Sequence, residues 1–145
     1  MALNTATAQV QLARPRACRS LPDRLGLAVV LAVPLAVTLH GLPYYLLPTA
    51  ARMRHPLHAL LKPSGAVGQA MGLIAVAMFL FLWLYPLRKK VRWLAWTGSV
   101  GAWMRVHTVA GLAIPLFVAV HAGWRFEGLI GLGFWAMLVV SLSGT

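Results

Sequence analysis

Two of the five histidines, His107 and His121, fall in one apolar run and stand 14 residues apart. At 100° per residue, that many helical steps return the second ring to within about 40° of the first, and a 1.5 Å rise separates them by about 21 Å. The spacing predicts one shared helix face with the two rings at opposite ends of a single span. Between them the same face carries Gly111, Ile114 and Val118. A flat macrocycle therefore has room to lie against the helix one turn after His107. A neutral imidazole is a good axial ligand for haem iron, and two of them at opposite depths suit two stacked b-type haems that carry electrons across a bilayer. Ionisable groups inside a span are costly and usually functional. A plainer alternative stays open for each, a histidine at a headgroup boundary bonded to water or backbone.

The composition says what kind of elements must hold these residues. Of 145 residues, 60% are hydrophobic and only 10% are charged, with thirteen Lys and Arg against two Asp and Glu. A soluble domain draws on about 25% charged residues, so a soluble enzyme is not expected. The apolar content is equally incompatible with a disordered basic tail. The basic residues form short clusters between apolar runs, as topology determinants do, so nucleic acid is not an expected partner. Cys18 stands alone. An internal disulfide, a C-x-x-C metal pair and a C-x-x-C-H covalent haem attachment are all excluded. Asp23 and Glu127 are the only acids, placed far apart, and Ser141 and Ser143 have no histidine or acid near them in sequence. Paired-carboxylate hydrolysis and a serine nucleophile are therefore not expected.

The apolar runs predict an all-α protein, an integral membrane bundle of about four transmembrane helices, with spans at 25–47, 66–87, 106–124 and 128–143. Residues 1–24 form a basic segment, and residues 25–145 form the transmembrane domain. The first run is longer than the 7–15 residues of a signal-peptide core, so it reads as a retained span kinked at Pro34. A Pro-rich loop follows at 48–65. Trp83 and Tyr85 make an aromatic belt at the end of the second span, and residues 93–105 read as an interfacial connector. Gly68 and Gly72 form a G-x-x-x-G pair that would let another helix approach closely. Nine Lys and Arg lie on the side of the N-terminal segment and of the second connector, against four on the other. Both termini are accordingly expected in the cytoplasm, with the lipid bilayer as the first partner. The end at Gly144-Thr145, without a polar tail, leads to the expectation of a missing continuation.

Three more histidines need placing. His40 lies about 15 residues into the first span, which puts it at the depth of His121 and makes it the best internal partner for an outer haem. Gly41 beside it would allow close approach, although Pro43 equally suits a turn there. His55 and His58 sit three apart in the loop, where solvation is the expected role. Glu127 is expected to pair with Arg125.

The stretch H-T-V-A-G-L-A-I-P-L-F-V-A-V-H, His107 to His121, resembles the ligand helix of ferric-reductase-like and cytochrome-b-type membrane domains. The segments R-H-P-L-H-A-L-L-K-P-S-G (Arg54–Gly65), Y-P-L-R-K-K (Tyr85–Lys90) and V-V-S-L-S-G (Val139–Gly144) resemble bacterial membrane proteins related to those domains. The resemblance covers about residues 54–144 and implies haem b, with the metal on His107 and His121, in a bacterial inner membrane. In those families a further helix supplies the facing histidines, so other membrane subunits or a second copy are implied as partners. No dinucleotide fingerprint is present, so at most this is the haem-carrying membrane part of an oxidoreductase. Electron transfer is the expected function. A non-catalytic accessory subunit of a larger respiratory or photosynthetic complex, with or without a His-ligated pigment, is the alternative.

Overall fold

The computed structural model describes residues 21–144. Most of the basic segment expected at 1–24, with Cys18, lies outside the described residues. The order is α1 (Leu21–His40), α2 (Leu42–Tyr45), α3 (Thr49–Arg52), α4 (His58–Leu61), α5 (Ala66–Lys90), a 3-10 helix (Arg92–Thr97), α6 (Val100–His121) and α7 (Gly128–Ser143). Every regular element among the described residues is helical, as the apolar runs predict. Helices α5 and α6 are long and apolar enough to cross a membrane, whereas Arg24–His40 and Gly128–Ser143 are shorter apolar stretches. At 1.5 Å per residue α5 reaches about 37 Å and α6 about 33 Å, against a hydrocarbon thickness of about 30 Å. The same arithmetic gives α7 only about 24 Å.

Helix α6 is the centre of the packing, and it meets α5, α1 and α7. It runs antiparallel to α5: His121 at its C-terminal end lies on Gly68 and Gly72, while His107 near its start lies beside Tyr85. Helix α5 buries Gly68, Met71 and Ala75, a spacing of three and four that defines one helical face. Met71 and Ala75 meet Ala113, Phe117 and Val120 of α6, and partly buried Val30, Leu31 and Val37 of α1 pack against this core. Helix α7 folds back on α6 and leaves most of its apolar side chains uncovered, with Leu129 88% exposed.

The expected first span, 25–47, is not one helix. Helix α1 stops at His40, and Gly41 starts a turn with Pro43 in the first turn of α2. The approach is close, because a Cβ at Gly41 would stand 2.7 Å from both Leu61 Cδ1 and Tyr45 Cε2 and would push those side chains aside. The expected connector 93–105 is also shorter. Ser99 caps α6 by accepting the Ala102 N–H at 3.2 Å, so the helix begins at Val100 and takes Trp103 and Arg105 with it. At its other end α6 closes with a Schellman motif. The Trp124 N–H reaches the Ala119 carbonyl at 2.8 Å and the Gly123 N–H reaches Val120 at 3.0 Å, with Gly123 at φ +64°.

Candidate functional site

The two histidines of α6 meet different surroundings. His121 is half-buried, and its Nδ1 lies 2.8 Å from the backbone oxygen of Gly68. A carbonyl oxygen only accepts, so Nδ1 carries the proton and donates it. In the neutral form of the ring this leaves the lone pair on Nε2, the nitrogen a metal would need. The imidazole lies so flat on α5 that a Cβ at Gly72 would come within 2.6 Å of Nδ1. The glycine pair that the sequence marks for close helix approach therefore receives a ring as well as a helix.

His121 also lines a cleft of about 390 Å³ whose other walls are Gly72, Leu73, Val76 and Phe79 of α5, Ile114 and Val118 of α6, and Met137 of α7, among others. Leu73, Val76 and Phe79 are at least half exposed, so the cleft opens at the protein surface. Ile114 and Val118 belong to the same helix face as the histidine pair. Gly111, higher on that face, has open space where a Cβ would stand. Pro115 lacks an N–H, which frees the Gly111 carbonyl from its usual helical bond.

His107, at the opposite end, is half-buried beside the Tyr85 ring, with centroids 5.0 Å apart. Its Nδ1 is buried with no hydrogen-bond partner among the described residues. An imidazole nitrogen left without a partner inside an apolar interface is costly, and such sites call for a bound group or a water. Of the two rings, His121 is the one that lines the cleft and could hold a flat metal complex there; His107 is not among the residues lining it.

Trp124 Nε1 donates to Thr38 Oγ1 at 3.3 Å, which brings the C-terminal ends of α1 and α6 level. His40 nevertheless is exposed and is not among the residues lining the His121 cleft. His55 and His58 gather instead around Tyr44, their ring centroids 5.6 and 5.9 Å from its own. His55 Nδ1 accepts the Leu57 N–H at 3.1 Å, and His58 Nδ1 shares a 3.1 Å hydrogen bond with the Tyr44 hydroxyl. Among the described residues no three of His, Cys, Asp and Glu converge on one point. Arg125 and Glu127 pair at 3.5 Å in an exposed turn.

Sequence reasoning missed Arg52, which ties this end of the bundle together. Its Nε donates to Leu47 O at 2.8 Å, Nη1 to Gly123 O at 2.8 Å and Nη2 to Tyr45 O, while the guanidinium lies 5.4 Å from the Tyr44 ring centroid. Its position between Pro48 and Pro56 gives the look of a topology charge, and nothing in the sequence separates it from Arg54. No family model, curated protein or solved structure matches the chain.

Proposed function

We propose that this chain is a membrane electron-transfer protein or subunit that holds b-type haem between its helices, with His121 and His107 as axial ligands. The observation that carries this reading is the His121 ring: its Nδ1 is bonded to a backbone carbonyl while the ring lines a cleft whose other walls are apolar side chains and Gln69. A ligating histidine characteristically donates its other N–H in this way, which fixes the ring and strengthens the metal-binding nitrogen. Haem, when bound, supplies the one-electron chemistry. The chain's own residues bind and orient it. Nε2 of His121 and a ring nitrogen of His107 would offer the lone pairs, Gly111 leaves the helix surface open between them, and Leu73, Val76, Phe79, Ile114 and Val118 give the cleft apolar walls.

The exposed mouth of the cleft supports completion by another membrane subunit or a second copy, which would cover Leu73, Val76 and Phe79 and bring facing ligands. The bundle is read as lying in a bacterial inner membrane with both termini cytoplasmic, so that His121 is the outer site. A second reading is favoured by α7, whose apolar side chains are left uncovered. In it the chain is a non-catalytic accessory subunit, and the His121 bond is an interhelical fastening of α6 to α5. A reduced-minus-oxidised spectrum of the purified full chain separates the two. The electron-transfer reading expects b-type haem bands, and a preparation with none would leave the accessory subunit as the better account.

A further inference from the structure

We propose that Gly68 and Gly72 are a positioning device that sets His121 in its metal-binding tautomer before any ligand arrives, so that the His121 end is a prebuilt site and the His107 end is not. This rests on the haem reading for the identity of the ligand, an open-faced metal complex of the tetrapyrrole class, but the device is a property of the chain alone.

The two glycines act differently. Gly68 offers its backbone oxygen, whose second lone pair remains available beside the intrahelical bond from one turn later. Its own missing side chain answers to the loop before α5, since a Cβ there would meet Lys62 O at 2.2 Å. Gly72 offers space: a Cβ would lie 2.6 Å from Nδ1, 2.8 Å from Cε1 and 3.0 Å from Cγ of His121. A side chain at position 72 overlaps the ring where it now lies, so the ring or the helix must shift, and a shift of the ring strains its bond to the Gly68 oxygen. The opposite tautomer would aim the Nδ1 lone pair at that oxygen across 2.8 Å, two acceptors facing each other.

Among the described residues nothing comparable holds His107. Its Nδ1 is buried without a partner among the described residues, and its neighbour is the face or edge of the Tyr85 ring. The chain therefore leaves the His107 tautomer unset, and the two ends differ in readiness although they share a helix. The first equivalent of haem goes to His121.

The test uses the full chain in detergent micelles with ¹⁵N-labelled histidine and no haem added. The imidazole ¹⁵N shifts of His121 are expected to report a single Nδ1–H tautomer; a Nε2–H ring or an exchanging mixture overturns the proposal without need of any variant. Gly72→Ala is expected to lose the fixed tautomer and to weaken haemin binding by about 10- to 100-fold. Gly133→Ala, at a position where a Cβ meets nothing within 4 Å, is expected to change neither. A folded Gly72→Ala chain that keeps the wild-type tautomer and haemin affinity overturns the positioning role. A wild type with the fixed tautomer that takes up no haemin keeps the device and removes the haem reading.

Discussion

Replacing Arg52 by Ala is expected to loosen the end of the bundle at which α1 and α6 finish. The side chain donates to three carbonyls, and only the bond to Gly123 O joins distant parts of the chain, 71 residues apart. Hydrogen bonds from a charged donor contribute about 1.5–3 kcal/mol each, but carbonyls in a loop regain water when the donor leaves. Counting the long-range bond in full and the two local ones at a fraction gives a loss of about 2–4 kcal/mol. At about 1.4 kcal/mol per decade this is roughly a 30- to 1000-fold change in the folding equilibrium. Titration of the purified protein with sodium dodecyl sulfate in mixed micelles, followed by tryptophan fluorescence, measures it. Arg52→Lys should recover only part of the loss, because a single ammonium cannot match the planar fork that reaches three oxygens. A shift below about 0.5 kcal/mol for Arg52→Ala would show that the three carbonyls are as well served by water and would refute the stapling role.

Gly123→Ala places a Cβ at φ +64° and should destabilise the chain by about 1 kcal/mol in the same titration, since L side chains resist that conformation. His121→Ala should lower the haem content while leaving membrane insertion intact, because hydropathy and not ligation drives insertion; haem assay and carbonate extraction read the two. His55→Ala should leave the haem content unchanged, as its Nδ1 already serves the turn through the Leu57 N–H. A reporter fused after Gly65 should be periplasmic and one after Lys90 cytoplasmic, and the reverse pattern would invert the depth assignment of His121.

Apolar runs separated by basic clusters made the long helices legible, because hydropathy is summed over many residues and single exceptions do not mislead it. Boundaries were less so. The end of α1 at His40 was half legible: Pro43 suits a turn, while the close approach of Leu61 to Gly41 comes from 20 residues away and no local pattern announces it. The shared face of His107, Gly111 and His121 follows from helical periodicity alone. What their rings touch does not: the Gly68 oxygen is 53 residues from His121, and only the packing of α5 on α6 joins them. The Trp124–Thr38 bond sets the end of α1 beside the end of α6, while His40 itself is exposed, and neither fact can be read from the local sequence. Rotation of α1 about its axis is set by Val30, Leu31 and Val37 against the core, and His40 is left outward.

The fastenings of the bundle are unequally shared between its ends. At one end Arg52, Trp124 and His121 cross between elements by directed hydrogen bonds. At the other, α5 and α6 meet through the stacked Phe81 and Trp103 rings, the Tyr85–His107 contact and the Arg88 bond to Gly98 O at 2.7 Å, none of which reaches α1. Side chains thus pin backbone directly at the His121 end, so local opening should be rare there, and amide exchange should be slow around Thr38 and Gly123.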